Sequence, residues 1–251
     1  MAAESEITIE EVIATLKRSS LPTIVVEGSD DMVVYRTFEE KLVSLGVSVL
    51  PVGGREKVLE VYRKRSELPS SSRPIFIADR DTWAISGIPE EYIDRAIVFT
   101  HGYSIENDIY VDGALRGLLR GPECTKYAAE LIEFIEWYAL AVNRHLNNPT
   151  HGISLHPDHV LDPVERVKLL ALNPGECYPN ELREKISSDY QHLVRGKSLL
   201  ALLIRNTNYR GREPKHRDNA LLEAVAVRPG PLLNALYRRI ELHFSPEHAS
   251  T

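Results

Sequence analysis

The chain has 251 residues, 43% hydrophobic and 26% charged, which allows one large domain or two modest ones at roughly 100–200 residues each and excludes a disordered polypeptide. With 30 Lys and Arg against 36 Asp and Glu the net charge is −6, which excludes a protein coated in basic residues while leaving room for a local basic groove. Cys124 and Cys177 form no CxxC pair, which excludes a zinc ribbon or a disulfide scaffold, so a reducing, cytoplasmic setting is expected.

The opening stretch MAAESEITIEEVIATLKRSS is acidic and too short in apolar residues for a signal peptide. No window approaches the ~18 uninterrupted apolar residues of a membrane span, so no membrane partner is expected.

In chain order, a short helix over Ile9–Lys17 precedes the β-branched run Thr23–Val26, which stops at Glu27-Gly28. Ser29 or Asp30 then caps a helix from Asp31 to about Leu45, with Val33, Val34, Phe38 and Leu42 at helical spacing and Gly46 as its stop. A second apolar run, Val47–Val52, ends at Gly53-Gly54 and leads into a helix carrying Val58, Leu59 and Tyr62. The third run, Pro74–Ala78, stops at Asp79; the fourth, Ala96–Thr100, leads into a helix over Ile105–Leu119. Short apolar strands alternating with helices predict an α/β fold, a parallel sheet of about four strands covered on both faces, over residues 1–120.

From Gly121 the pattern is helical. Helices are expected over Tyr127–Leu146, Asp162–Leu172, Pro179–Leu193, Lys197–Arg205, Asn219–Ala226 and Pro231–Phe244, as a helical subdomain of residues 121–251.

Ligands of such sheets sit beyond the carboxyl ends of the strands, and three of the four ends lead into carboxylates. Glu27 is followed by Asp30 and Asp31; Asp79 and Asp81 stand in IADRD; Glu106 and Asp108 stand in YSIEND. Each cluster alone is an ordinary turn or cap. Brought together at strand spacing, about 4.8 Å, they would repel unless a cation offset them. Hard carboxylate oxygens suit Mg²⁺ or Mn²⁺, ions that act on phosphate groups.

TIVVEGSDD followed by PIFIADRD resembles the Toprim domain, the Glu…Asp-x-Asp phosphoryl-transfer module of primases, topoisomerases and OLD-type nucleases. VEGSDD, PVGGREKV, IADRDTW and YSIEND together resemble a narrower stand-alone group that includes the effector of the PARIS anti-phage system. The resemblance covers about residues 20–115. It implies that Glu27, Asp31, Asp79, Asp81 and Glu106 hold one or two Mg²⁺ or Mn²⁺ ions, with Glu27, Asp79 and Asp81 catalytic. Gly196-Lys197 resembles a downstream Gly-Lys pair whose lysine meets the scissile phosphate, so Lys197 joins the catalytic set. The activity implied is a metal-dependent endonuclease acting on RNA (including tRNA) or DNA in an anti-phage defence system, under the control of an ABC-type ATPase. The alternative is a non-catalytic module that docks on such an ATPase. The helical half is the expected docking surface, with a homodimer as a further possibility. Accessory domains and zinc-binding cysteines of topoisomerases and bacterial primases are missing, which favours hydrolysis.

Gly196-Lys197-Ser198 is no nucleotide-binding phosphate loop, because Gln191 stands where that motif needs glycine and no apolar strand precedes it. HGISLHPDH gathers His151, His156, Asp158 and His159, a zinc site or, more commonly, a surface loop. RNTNYRGREPKHR reads as a solvated loop or a phosphate-tracking patch. Arg55, Lys57, Arg63, Lys64 and Arg65 form a second basic cluster suited to an acidic partner.

Overall fold

The computed structural model describes residues 7–28, 32–69 and 72–245. The elements run α1 (Ile9–Arg18), β1 (Thr23–Val26), α2 (Met32–Lys41), β2 (Ser48–Pro51), α3 (Arg55–Arg63), β3 (Ile75–Ala78), α4 (Trp83–Ser86), β4 (Ile97–Phe99), α5 (Ile105–Asp112) and α6 (Gly121–Asn147). They continue with α7 (Pro157–Val160), α8 (Pro163–Leu169), α9 (Asn180–Ser188), α10 (Tyr190–Leu193), α11 (Gly196–Thr207), α12 (Asp218–Val227) and α13 (Pro231–Phe244).

The four strands form one parallel sheet in the order β2-β1-β3-β4. Every residue of β1, β3 and β4 is buried, as the unbroken apolar runs require for a sheet covered on both faces. At the edge, β2 is buried only at Val49. An α/β architecture with a long helical region is thus the fold. The expected strand over Val47–Val52 is shorter, and the helix expected to reach Leu45 ends at Lys41 and passes into a single 3-10 turn before left-handed Gly46.

The chain divides into two compact units, but not at residue 120. Of the described residues, one unit takes in those up to Arg80, Ile88–Thr100 and those from Leu222 on; the other comprises Asp81–Gly87 and His101–Leu221. The last helix belongs with the sheet for a visible reason. Tyr237 of α13 shares a 2.8 Å hydrogen bond with the Thr37 hydroxyl of α2, and its ring lies 4.4 Å from that of Phe38. Leu233, Leu236 and Ile240 of α13 are buried with it. At the other end of the unit, Thr8 and Glu11 form a capping box that starts α1.

In the second unit the 27-residue α6 supplies the core, burying Tyr127, Leu131, Phe134, Ile135, Tyr138 and Val142. The apolar stripes of α6 and α13 are spent largely on the interiors of their own units, with Ile132 and Leu242 left exposed. In the basic stretch after Arg205 one side chain, Arg212, is drawn inside, while Arg210, Lys215 and Arg217 stay exposed. Arg212 is only 3% exposed and donates to Glu123, to the Leu118 carbonyl and to the Pro214 carbonyl, while Arg205 bonds Glu130 and Asp158. Both cysteines are free and exposed. No helix among the described residues is long and apolar enough to cross a membrane.

These internal pairs make the second unit acid-sensitive. Hydrogen bonds from Arg212 hold the Glu123 carboxyl down to about 2, and those from Arg144 do the same for Glu176, against an ordinary value of 4.5. A depressed folded-state pKa stabilises fully above the unfolded value and progressively less as pH falls toward the folded one. Urea midpoints followed by tryptophan fluorescence should therefore fall between pH 4.5 and 2, with a shallower fall in the Glu123→Gln variant. An identical pH profile for that variant would show that the Arg212 pair carries none of the effect.

Candidate metal centre

In the sheet-bearing unit, Glu27 is gripped from two sides. Its main-chain carbonyl accepts from the amides of Gly53 (2.7 Å) and Gly54 (2.6 Å), which extend the β1–β2 ladder past the strand ends. Gly53 and Gly54 have φ of +91° and +123°, in the region where a side chain is strained. The Glu27 carboxylate accepts the main-chain N–H of Asp79 at 2.6 Å through Oε1. Asp79 is fixed again from its other side, where its carbonyl accepts from Arg55 Nε at 2.9 Å. The Gly-Gly turn thus serves two ends: it lets two amides reach Glu27, and it starts α3 so that Arg55 reaches Asp79.

The side chains of the basic cluster assigned above to an acidic partner are therefore engaged internally. Arg55 holds Asp79, Lys57 donates to the Ile7 carbonyl, Arg63 to Tyr92 and Arg65 to Asp94, and Lys64 pairs with Glu60 and Glu10. Beside Asp79, Arg80 has a buried Nε without a hydrogen-bond partner among the described residues. Gly54→Ala should destabilise the protein by roughly 1–3 kcal/mol, because alanine must then adopt a glycine-type backbone at φ +123°. A urea titration checks this; an unchanged midpoint would mean that the turn relaxes at no cost.

The second unit holds Asp81, Glu106 and Lys197. Asp81 has φ +49°, unusual for a residue other than glycine, and its N–H donates to the Tyr103 carbonyl at 2.7 Å. Glu106, in the first turn of α5, is 3% exposed, and no hydrogen bond or ion pair of its carboxylate is found among the described residues. Asp108 behaves differently. Burial pushes its carboxyl up, opposed by the amides of His101 and Gly102, which its two oxygens accept at 3.0 and 2.8 Å. It is a loop clasp.

Between them stands Asn107, wholly buried, which sequence reasoning missed. Its Oδ1 accepts from the Ser104 amide and hydroxyl, while Nδ2 donates to the carbonyls of Gln191 (2.6 Å) and Val194 (2.8 Å). Those carbonyls belong to the segment that delivers Gly196-Lys197. Gly196 itself packs so closely that an added Cβ would lie 2.3 Å from Ser104 Oγ and 2.9 Å from Glu106 Cβ. The YSIEND and Gly-Lys motifs are therefore one packed unit, with Lys197 exposed at the start of α11. The signal was present as Asn inside an acidic motif, since a side-chain amide donates and accepts at once where an ionised carboxylate only accepts.

Asp31 lies outside the described residues. Among the described residues no three His, Cys, Asp or Glu side chains form a ready-made metal cage. His156 instead caps α7 and Asp158 pairs with Arg205, so the histidine loop is not a zinc site among those residues. The donors at the ends of β1 and β3 nevertheless fit Mg²⁺ or Mn²⁺. Such ions are commonly held through one or two carboxylates, completed by water and substrate phosphate, and Glu27 and Asp79 supply that number of carboxylates at adjacent strand ends. Compared with known protein families and with curated proteins, the chain matches none.

Proposed function

We propose that the chain is a Toprim-type, Mg²⁺- or Mn²⁺-dependent endonuclease that hydrolyses phosphodiester bonds in RNA, tRNA included, or DNA. The observation that carries this reading is the 2.6 Å bond from the Asp79 amide to the Glu27 carboxylate, which ties together the acids at the carboxyl ends of two adjacent parallel strands. Glu27 and Asp79 would hold the ion, with Asp31, Asp81 and Glu106 as the further carboxylates implied by the resemblance. Bound there, the metal supplies Lewis-acid activation of water and of the phosphodiester.

The protein's own part is orientation and charge. The Gly53 and Gly54 amides and the Asp79 amide set the direction of Glu27, and Arg55 sets the Asp79 peptide. The open Nε of Arg80 is a donor suited to an anionic oxygen. Lys197, by resemblance, offsets charge on the phosphoryl oxygens as one P–O bond forms to water and another breaks. The resemblance also supports an ABC-type ATPase as the controlling partner, and co-expression with such a neighbour tests that arm.

The direct test is incubation of purified chain with labelled RNA and DNA in Mn²⁺ and in chelator, alongside calorimetric titration with Mn²⁺. Metal-dependent cleavage is the expected result. Intact nucleic acid together with no Mn²⁺ binding at neutral pH would overturn the reading.

A further inference from the structure

A cleft lies in the sheet-bearing unit, at the opposite ends of the strands. Arg73 stands just before β3 and Ala96 just before β4; with Arg95, Arg239, Leu242 and His243 they line a cleft of about 510 Å³. Arg73 and His243 hold each other in place: Arg73 Nη2 donates to the His243 carbonyl at 3.0 Å, and the imidazole Nε2 lies 3.2 Å from the Arg73 carbonyl. This fixes α13 as one wall and the entry to β3 as the other.

Charge in the cleft is one-sided. Asp94 is its acid, and that carboxylate is already committed: burial would raise it, but the Ala96 amide, the Tyr62 hydroxyl and Arg65 together hold it below its ordinary value. No carboxylate pairs with Arg73, Arg95 or Arg239 among the described residues. A protein of net charge −6 has thus gathered around one cavity three arginines that no carboxylate pairs among the described residues. Self-repulsion of this kind is relieved by a bound anion.

The volume argues for more than a bare phosphate. Clefts of roughly 300–1,000 Å³ accommodate organic ligands, and the lining is not only cationic: Leu242 is 55% exposed and Ala96 borders the same cavity. Guanidinium groups bind phosphate oxygens through paired donors and also stack on flat rings. We propose that this cleft binds a nucleotide, its phosphate meeting Arg73, Arg95 and Arg239 and its base resting against Leu242 and Ala96. The phosphate and base come from a free nucleotide or from the 5′-phosphorylated end of a strand. None of these residues belongs to the carboxylate centre.

The test is calorimetry on the full chain in chelator, so that no divalent ion contributes, with AMP, ATP, adenosine and a 5′-phosphorylated oligonucleotide as probes. Saturable binding of AMP or ATP, or of the oligonucleotide, is expected, and which binds more tightly identifies the source. The Arg95→Ala/Arg239→Ala variant should bind at least about ten-fold more weakly with an unchanged circular dichroism spectrum. No saturation by any phosphate-bearing probe at about 1 mM, equal affinity for adenosine and AMP, or full affinity in the double variant would overturn the proposal.

Discussion

Replacing Glu27 by Gln, or Asp79 by Asn, is expected to lower metal-dependent cleavage by about 100-fold or more while leaving the fold intact. Glutamine keeps an amide oxygen where Glu27 Oε1 accepts the Asp79 N–H at 2.6 Å, so the strand ends stay joined and only the charge is lost. Glu27→Ala is a different experiment. It removes the acceptor as well, and a half-buried amide without a partner costs about 1–3 kcal/mol. Comparing the two variants separates what the carboxylate does for chemistry from what it does for geometry. Cleavage of labelled RNA and DNA in Mn²⁺, with thermal melts on the same preparations, makes the comparison. A fully active Glu27→Gln protein would remove Glu27 from the catalytic set and sink the nuclease reading built on it.

Asn107→Ala should be the most destabilising single change in the second unit, at about 3 kcal/mol or more. Four hydrogen bonds are lost at once, and the carbonyls of Gln191 and Val194 each lose a donor. Gly196→Ala approaches the same junction from the other side. Its new methyl would meet Ser104 Oγ at 2.3 Å, an overpacking that costs about 1–3 kcal/mol. Both variants should expose the segment around Gln191–Lys197 to limited proteolysis and lower the urea midpoint. Unchanged midpoints in both would show that the junction is looser than its contacts imply.

Much of the sheet was legible because its strands are short and apolar from end to end. Thr23–Val26 is found with the bounds read from sequence, and Pro74–Ala78 and Ala96–Thr100 shrink by one residue or one at each end. Helix ends were harder. The helix expected over Ile105–Leu119 stops at Asp112, since Ala114 turns left-handed at φ +45°, and nothing in an alanine announces that. The stretch Pro179–Leu193 splits at Asp189, a residue whose backbone leaves the helical region although its neighbours suit a helix.

The acids themselves were easy to pick out, but their division of labour was not. Glu106 and Asp108 sit two positions apart in one motif, and only the loop amides that reach Asp108 tell clasp from candidate ligand. Arg55 and Arg212 looked like surface charge because their partners, Asp79 and Glu123, are 24 and 89 positions away. Composition carries no trace of such pairings.

The placement of α13 has a consequence for how the protein is made. Its Tyr237 meets Thr37 across 200 positions of sequence, whereas the pairing of β1 with β3, Ile24 beside Ile75, closes within the first 80 residues. Synthesis proceeds from the amino end at roughly 5–20 residues per second, so the sheet emerges from the ribosome well before the helix that covers α2. Phe38 and its neighbours must wait through the intervening helical unit, which can complete its own core first. During that interval α2 presents an apolar face, Phe38 included, that α13 has yet to cover, and contacts of such long sequence separation close slowly. The vulnerable period of this chain's life is therefore its birth: a stalled or prematurely released nascent chain would carry the strands but lack the helix that covers α2.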